Sequence, residues 1–88
     1  MPYKIDRSME GDVVIFTLSG DLDAQHVARL QILVDQEIVL GIVLDLKEIT
    51  RADREAIRFL VVAQDRGIGL TNCPKYVLTW MAVERDTD

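Results

Sequence analysis

The sequence predicts an α/β fold in the order β-β-α-β-α-β-α, with a mixed four-stranded sheet opened by an N-terminal hairpin. The expectation rests on a period-two stretch followed, across Gly11-Asp12, by a β-branched run. It rests equally on later apolar runs that are each followed by a segment of helical spacing, with glycines at the breaks. Strands separated by helices pair in parallel through right-handed crossovers. The second, third and fourth strands are therefore expected to be parallel, with the helices packed on the sheet.

Tyr3, Ile5, Arg7 and Met9 alternate with Lys4, Asp6 and Ser8, the pattern of a half-buried edge strand. Gly11 supplies the positive φ that a tight hairpin turn requires. Val13 to Leu18 is β-branched and nearly continuous, which predicts a strand covered on both faces and ended by Ser19-Gly20. Asp21 or Asp23 then caps a helix running from about Ala24 to Ile38. Ala24, Val27, Leu30, Val34 and Ile38 fall on its inner side, and Gln25, Arg29 and Gln36 on the outer. Ile32 lies among the outer residues, and His26 is expected to point to solvent. Gly41 precedes a strand over Ile42 to Leu46. Thr50 and Asp53 have the spacing of a capping box, so a second helix starts there and stops at Gly67. Ala56, Ile57, Leu60 and Ala63 form its inner face; Arg54, Arg58, Asp65, Val61 and Val62 form the outer one. Gly69-Leu70-Thr71 is a short last strand. Pro74 then sits in the first turn of a final helix, whose Tyr76, Val77, Trp80 and Met81 are expected to face the body.

Composition sets limits on function. At 88 residues the chain is expected to form one domain over residues 1–88, with room for a modest core and none for an internal active-site cavern. Fifteen acidic against ten basic residues leave a net charge of −5, a poor match to a phosphate backbone, so no nucleic-acid partner is expected. One cysteine and one histidine exclude an intramolecular disulfide and a Cys- or His-rich metal site. Residues Met1 to Arg7 hold no apolar signal segment, and no apolar run approaches the ~20 residues of a membrane span. A cytoplasmic protein without membrane insertion is expected. No G-x-S-x-G or P-loop occurs, and Gly67-Ile68-Gly69 leads into a strand rather than a helix, so neither an enzyme nor a cofactor or metal is expected. Asp21, Asp23, Asp45 and Asp53 stand near strand ends; Asp23 and Asp53 read as cap or first-turn residues. Cys73 precedes Pro74 at a helix N-terminus, a place that lowers a thiol's pKa, although free cysteine commonly serves as a small buried hydrophobe.

The segment from Thr50 to Val62 is the most informative. Arg51, Arg54 and Arg58 recur at i, i+3 and i+7 in an otherwise acidic chain, and Glu55 can pair with Arg58 or Arg51. A solvated helix face is the ordinary reading of such a stripe. Val61 and Val62 extend it with aliphatic side chains, and arginine beside aliphatic surface suits a protein interface. The partner-binding candidates are Arg51, Asp53, Arg54, Glu55, Arg58, Val61 and Val62, with Asp21, Asp23 and Thr50 as loop and cap residues beside them.

These residues bring out a family resemblance. Val13 to Asp23, with Leu18-Ser19-Gly20-Asp21-Leu22-Asp23 at its end, resembles the opening of a STAS domain: a strand, Leu-x-Gly-x-Leu-Asp, then a helix. Ile42 to Thr50 resembles the family's central strand, and the element order agrees over about residues 3 to 85. The resemblance implies a STAS-like fold and a non-catalytic protein-binding role, like that of the anti-sigma factor antagonists of bacterial partner switching. The implied partner is a kinase-like anti-sigma factor or another regulator. In that family the loop after the central strand typically reads Asp-Ser-Ser/Thr-Gly-Leu, and its first Ser is phosphorylated. The matching residues here are Asp53-Arg54-Glu55-Ala56-Ile57. Arg54 stands at the phospho-acceptor position, and neither Arg nor Glu accepts a phosphoryl group as a hydroxyl does. The implication is a constitutive module docking through the start of the second helix onto an acidic or mixed-charge surface. The resemblance also admits a small STAS subunit seated on a transporter ATPase, or a small-ligand or nucleotide sensor. Thr50 and Thr71 are the other candidate phosphorylation sites. A homodimer through the final helix, or through the outer side of the second, is a further expectation.

Overall fold

β1 (Lys4–Glu10) and β2 (Val13–Leu22) form an antiparallel hairpin closed by Gly11 at a φ of 60°. The computed structural model describes residues 3–37 and 41–86. The chain continues through α1 (Ala24–Asp35), β3 (Gly41–Ala52), α2 (Arg54–Asp65), β4 (Gly69–Thr71) and α3 (Lys75–Asp86). The strands lie in the order β1-β2-β3-β4, with β2, β3 and β4 parallel. This is the mixed four-stranded sheet and the element order that the sequence predicts.

β2 alternates more than its composition suggests. Val14, Phe16 and Leu18 are fully buried, whereas Val13, Ile15 and Thr17 on the opposite face are only half-covered. The expectation of a strand sealed on both faces is therefore corrected: the helices close one face. There the core joins Leu44 and Leu46 of β3 to Leu30 of α1, to Ala56, Ile57 and Leu60 of α2, and to Val77 and Met81 of α3.

β1 is more open than expected. Met9 is exposed, and only Tyr3 and Ile5 are half-buried. Arg7, opposite Phe16, ends the covered row with a two-pronged bond to Glu37, Nε at 2.7 Å and Nη2 at 3.1 Å. Planar guanidinium matches planar carboxylate in such a pair.

β2 and β3 both outrun their expected ends. β2 continues through Ser19-Gly20 to Leu22, and β3 runs to Ala52 rather than Leu46. The register explains how. Thr17 pairs Asp45 but Ser19 pairs Glu48, and Gly20 pairs Ile49 but Asp21 pairs Arg51. At each shift β3 accommodates one residue more than β2, as in a bulge. Asp45 supports the first shift by accepting from the Lys47 N–H at 3.1 Å.

α1 ends at Asp35, short of the expected Ile38, which lies outside the described residues. α2 stops as expected. Gly67 at φ 94° lets its own N–H reach the Gln64 carbonyl and the Ile68 N–H reach the Ala63 carbonyl, both at 3.0 Å. That paired closure is a Schellman ending. In α3 Val77 and Met81 face the body as predicted, but Tyr76 is exposed.

Candidate functional site

The candidate partner surface begins where β3 passes into α2. Asp53 caps α2, its side chain accepting from the Ala56 N–H at 2.9 Å. Its own N–H donates to the Leu22 carbonyl at 3.1 Å, tying the α2 start to the end of β2. The expected capping box led by Thr50 does not form, because Thr50 and Arg51 are still in β3. Thr50 Oγ1 instead donates to Asp21 Oδ1 at 3.0 Å. Arg51 therefore does not share a helix face with Arg54 and Arg58; it is an exposed strand residue beside them.

Arg54 and Arg58 meet at a residue that the sequence reading did not single out, Glu84 of α3. Arg54 Nε lies 2.9 Å from Glu84 Oε1, and Arg58 Nε 3.7 Å from the same oxygen. The Glu84 side chain is 9% exposed, against 57% and 52% for the two arginines. A carboxylate so enclosed is costly without compensation, which the two guanidiniums supply. Glu55 adds a looser contact to Arg58 at 3.9 Å. A sequence signal for Glu84 existed: with Val77 and Met81 it falls at i, i+4 and i+7 on the body-facing side of α3.

α3 also crosses α2 further along. Arg85 donates to Asp65 Oδ1 at 2.9 Å and to Gln64 Oε1 at 2.7 Å. Val61, Asp65, Glu84 and Arg85 line one small polar crevice. Val61 is thereby half-buried and packs against the core, whereas Val62 stays exposed. The solvent-facing residues of α2 include the row Glu55, Arg58 and Val62, preceded by exposed Arg54 and by Arg51 at the end of β3.

The α1 start is built differently. Asp23, not Asp21, is the cap, accepting from the His26 N–H at 3.0 Å. The expectation that His26 points to solvent is corrected: it is fully buried. Its ring stacks on Tyr3 with centroids 4.4 Å apart and planes 19° from parallel. His26 Nδ1 lies 3.0 Å from the Asp21 carbonyl. A carbonyl only accepts, so Nδ1 carries the hydrogen. Nε2 is buried and has no hydrogen-bond partner among the described residues. The signal that could have placed His26 inside is its spacing, i, i+4 and i+7 with Leu30 and Leu33.

Among the described residues no group of three or more His, Cys, Asp or Glu side chains could hold a metal ion. Asp45 is occupied by Lys47 and by Asn72 Nδ2 at 3.1 Å. Cys73 is half-buried, and burial pushes its thiol up from the ordinary value, the opposite direction to the lowering expected at a helix start. Among the described residues no helix is long and apolar enough to cross a membrane.

The fold has solved counterparts. The anti-sigma factor antagonist SpoIIAA, in its unphosphorylated form, matches over 97% of both chains with a TM-score of 0.53 and 12% identity. The chain has a STAS-like fold. A DUF3478-family protein of SpoIIAA-like fold from Shewanella loihica PV-4 matches with a TM-score of 0.53 and 16% identity, over 77% of this chain and 61% of that one. A structure of Mglu matches with a TM-score of 0.61 and 25% identity, over 80% of this chain but 19% of the Mglu chain. The STAS-like chain thus matches about a fifth of the length of Mglu. No family model and no curated protein matches it in sequence.

Proposed function

We propose that the chain is a STAS-like protein-binding module of the anti-sigma-factor-antagonist type, acting in bacterial regulation from the cytoplasm and without phosphorylation at the usual loop position. The observation that carries this reading is the α2 start. Arg54 occupies the first helical position after the Asp53 cap, where the resembled family carries its phosphorylated serine. A phosphoserine would add about −1.5 to −2 charges there; Arg54 adds a positive charge. The switch residue is replaced by a fixed cation beside an exposed row of Glu55, Arg58 and Val62.

The arginine side of each pair is more than half exposed, and both guanidiniums approach the same carboxylate oxygen. A partner's carboxylate can therefore draw one arginine outward while the other keeps Glu84 paired. The partner that fits is an acidic or mixed-charge protein surface with an apolar spot for Val62.

The test is affinity capture from the source organism, followed by titration of the purified partner. Arg54→Glu combined with Arg58→Glu should weaken binding by at least about tenfold, as loss of central interface arginines does. Because two new carboxylates would crowd Glu84, Arg54→Gln with Arg58→Gln serves as the milder companion, and circular dichroism checks the fold of both. Unchanged affinity in both folded variants would sink the reading. A kinase-like partner supports antagonist chemistry, whereas a transporter ATPase moves the chain to the transporter-subunit class.

A further inference from the structure

α3 also turns a surface to solvent on a different side of the helix from Arg85 and its α2 contacts. At 100° per residue Lys75, Tyr76, Thr79, Trp80, Val83 and Asp86 fall within about 140° of one another, on the side away from buried Val77 and Met81. All of them but Asp86 line one shallow apolar surface. Tyr76 is 46% and Val83 56% exposed. Trp80 is half-buried at the foot of the row.

The charges at the two ends of the row oppose the helix they sit on. A helix favours anions near its start and cations near its end, but here Lys75 opens α3 and Asp86 closes it. Arg85, the basic residue of the last turn, is spent on Asp65 and Gln64 of α2. The row is also nearly symmetric about Thr79 and Trp80. Tyr76 and Val83 flank that centre, and Lys75 and Asp86 lie outside them, about 16 Å apart at 1.5 Å per residue.

We infer that this row is the contact of a homodimer in which the α3 helices of two copies pack antiparallel. A two-fold axis through the Thr79–Trp80 centre sets Tyr76 against Val83 of the second copy. It sets Lys75 beside Asp86 of the second copy at both ends. Each misplaced charge then gains an opposite charge and the favourable end of a neighbouring dipole. Parallel packing would instead put Lys75 beside Lys75. One short helix row on each copy buries roughly 800 Å² in total, at the weak end of specific interfaces, so the dissociation constant expected is about 0.1 mM.

Trp80 is the chain's one tryptophan and reports on this surface directly. Sedimentation equilibrium from about 10 μM to about 1 mM should show a monomer passing to a dimer around that constant. Trp80 emission should shift to the blue over the same range. Lys75→Glu alone and Asp86→Lys alone should each weaken the dimer about fivefold or more, and the two together should restore it, since the pair is exchanged rather than lost. Lys4→Glu, the same charge change on β1, should leave association unaltered. A monomer throughout the range would overturn the inference and leave the row to a different protein. Association indifferent to Lys75→Glu, or not restored in the double variant, would overturn it as well.

Discussion

The two long crossovers of this chain begin alike and end differently. Each helix follows the end of a strand, Leu22 or Ala52, and these two residues are register partners. Each is capped by an aspartate that accepts from the third helical N–H, at 3.0 Å from Asp23 and 2.9 Å from Asp53. After the caps they diverge. The third residue of α1 is His26, buried, hydrogen-bonded to the Asp21 carbonyl and covered by Tyr3. The third residue of α2 is the small Ala56, also buried, and the polar residues stand outside it, with exposed Arg54 held by the nearly enclosed Glu84 of α3. One start is sealed by stacking and burial, the other by ion pairs that solvent reaches. Packing of the first kind gives rigidity. Contacts of the second kind are cheap to exchange, which is what a docking surface needs.

That contrast can be broken by mutation. The largest effect belongs to the sealed start: His26→Ala removes a buried ring and its hydrogen bond, and should cost about 3 kcal/mol in urea unfolding. Arg54→Ala at the open start should cost less than about 1 kcal/mol. Equal losses would erase the distinction. Next come the caps, where the starts are alike: Asp23→Ala and Asp53→Ala should each cost about 1 kcal/mol, and a several-fold inequality would show that the caps are not equivalent. The smallest effect lies at the far end of the sealed crossover. The bond from Arg7 holds the Glu37 carboxyl below its ordinary range. A lowered carboxyl favours the folded state above its unfolded value, and that contribution fades as pH falls through the lowered one. Glu37→Gln should therefore flatten the loss of stability below about pH 4 while leaving the neutral-to-basic profile parallel to the parent. An unchanged acid limb would mean that the Arg7 contact does not persist in solution.

The same contrast separates what was legible in the sequence from what was not. The element order and the parallel sheet followed from periodicity and glycine breaks, because local patterning dictates them. The inner face of α2 followed from the spacing of Ala56, Ile57, Leu60 and Ala63. The length of β3 was hidden by its two register shifts. They turn its inward positions from Leu44 and Leu46 to Ile49 and Ala52, a spacing of three that breaks the strand alternation just where Thr50 and Asp53 have the spacing of a capping box. His26 carries an inward spacing with Leu30 and Leu33, but the ring stacked on it belongs to Tyr3, twenty-three positions earlier in the chain. Glu84 was missed because its partners Arg54 and Arg58 come from another helix, and only the crossing of α3 over α2 joins them. Contacts between residues distant in sequence decide which of two similar helix starts is closed.

The central claim is that the α2 start docks a protein partner while the α1 start serves the fold. Amide hydrogen exchange on the chain alone and with its captured partner measures this most directly. The account predicts added protection over residues 53–62, with residues 23–30 unchanged. Protection gained over residues 23–30, with 53–62 exchanging as before, would contradict it.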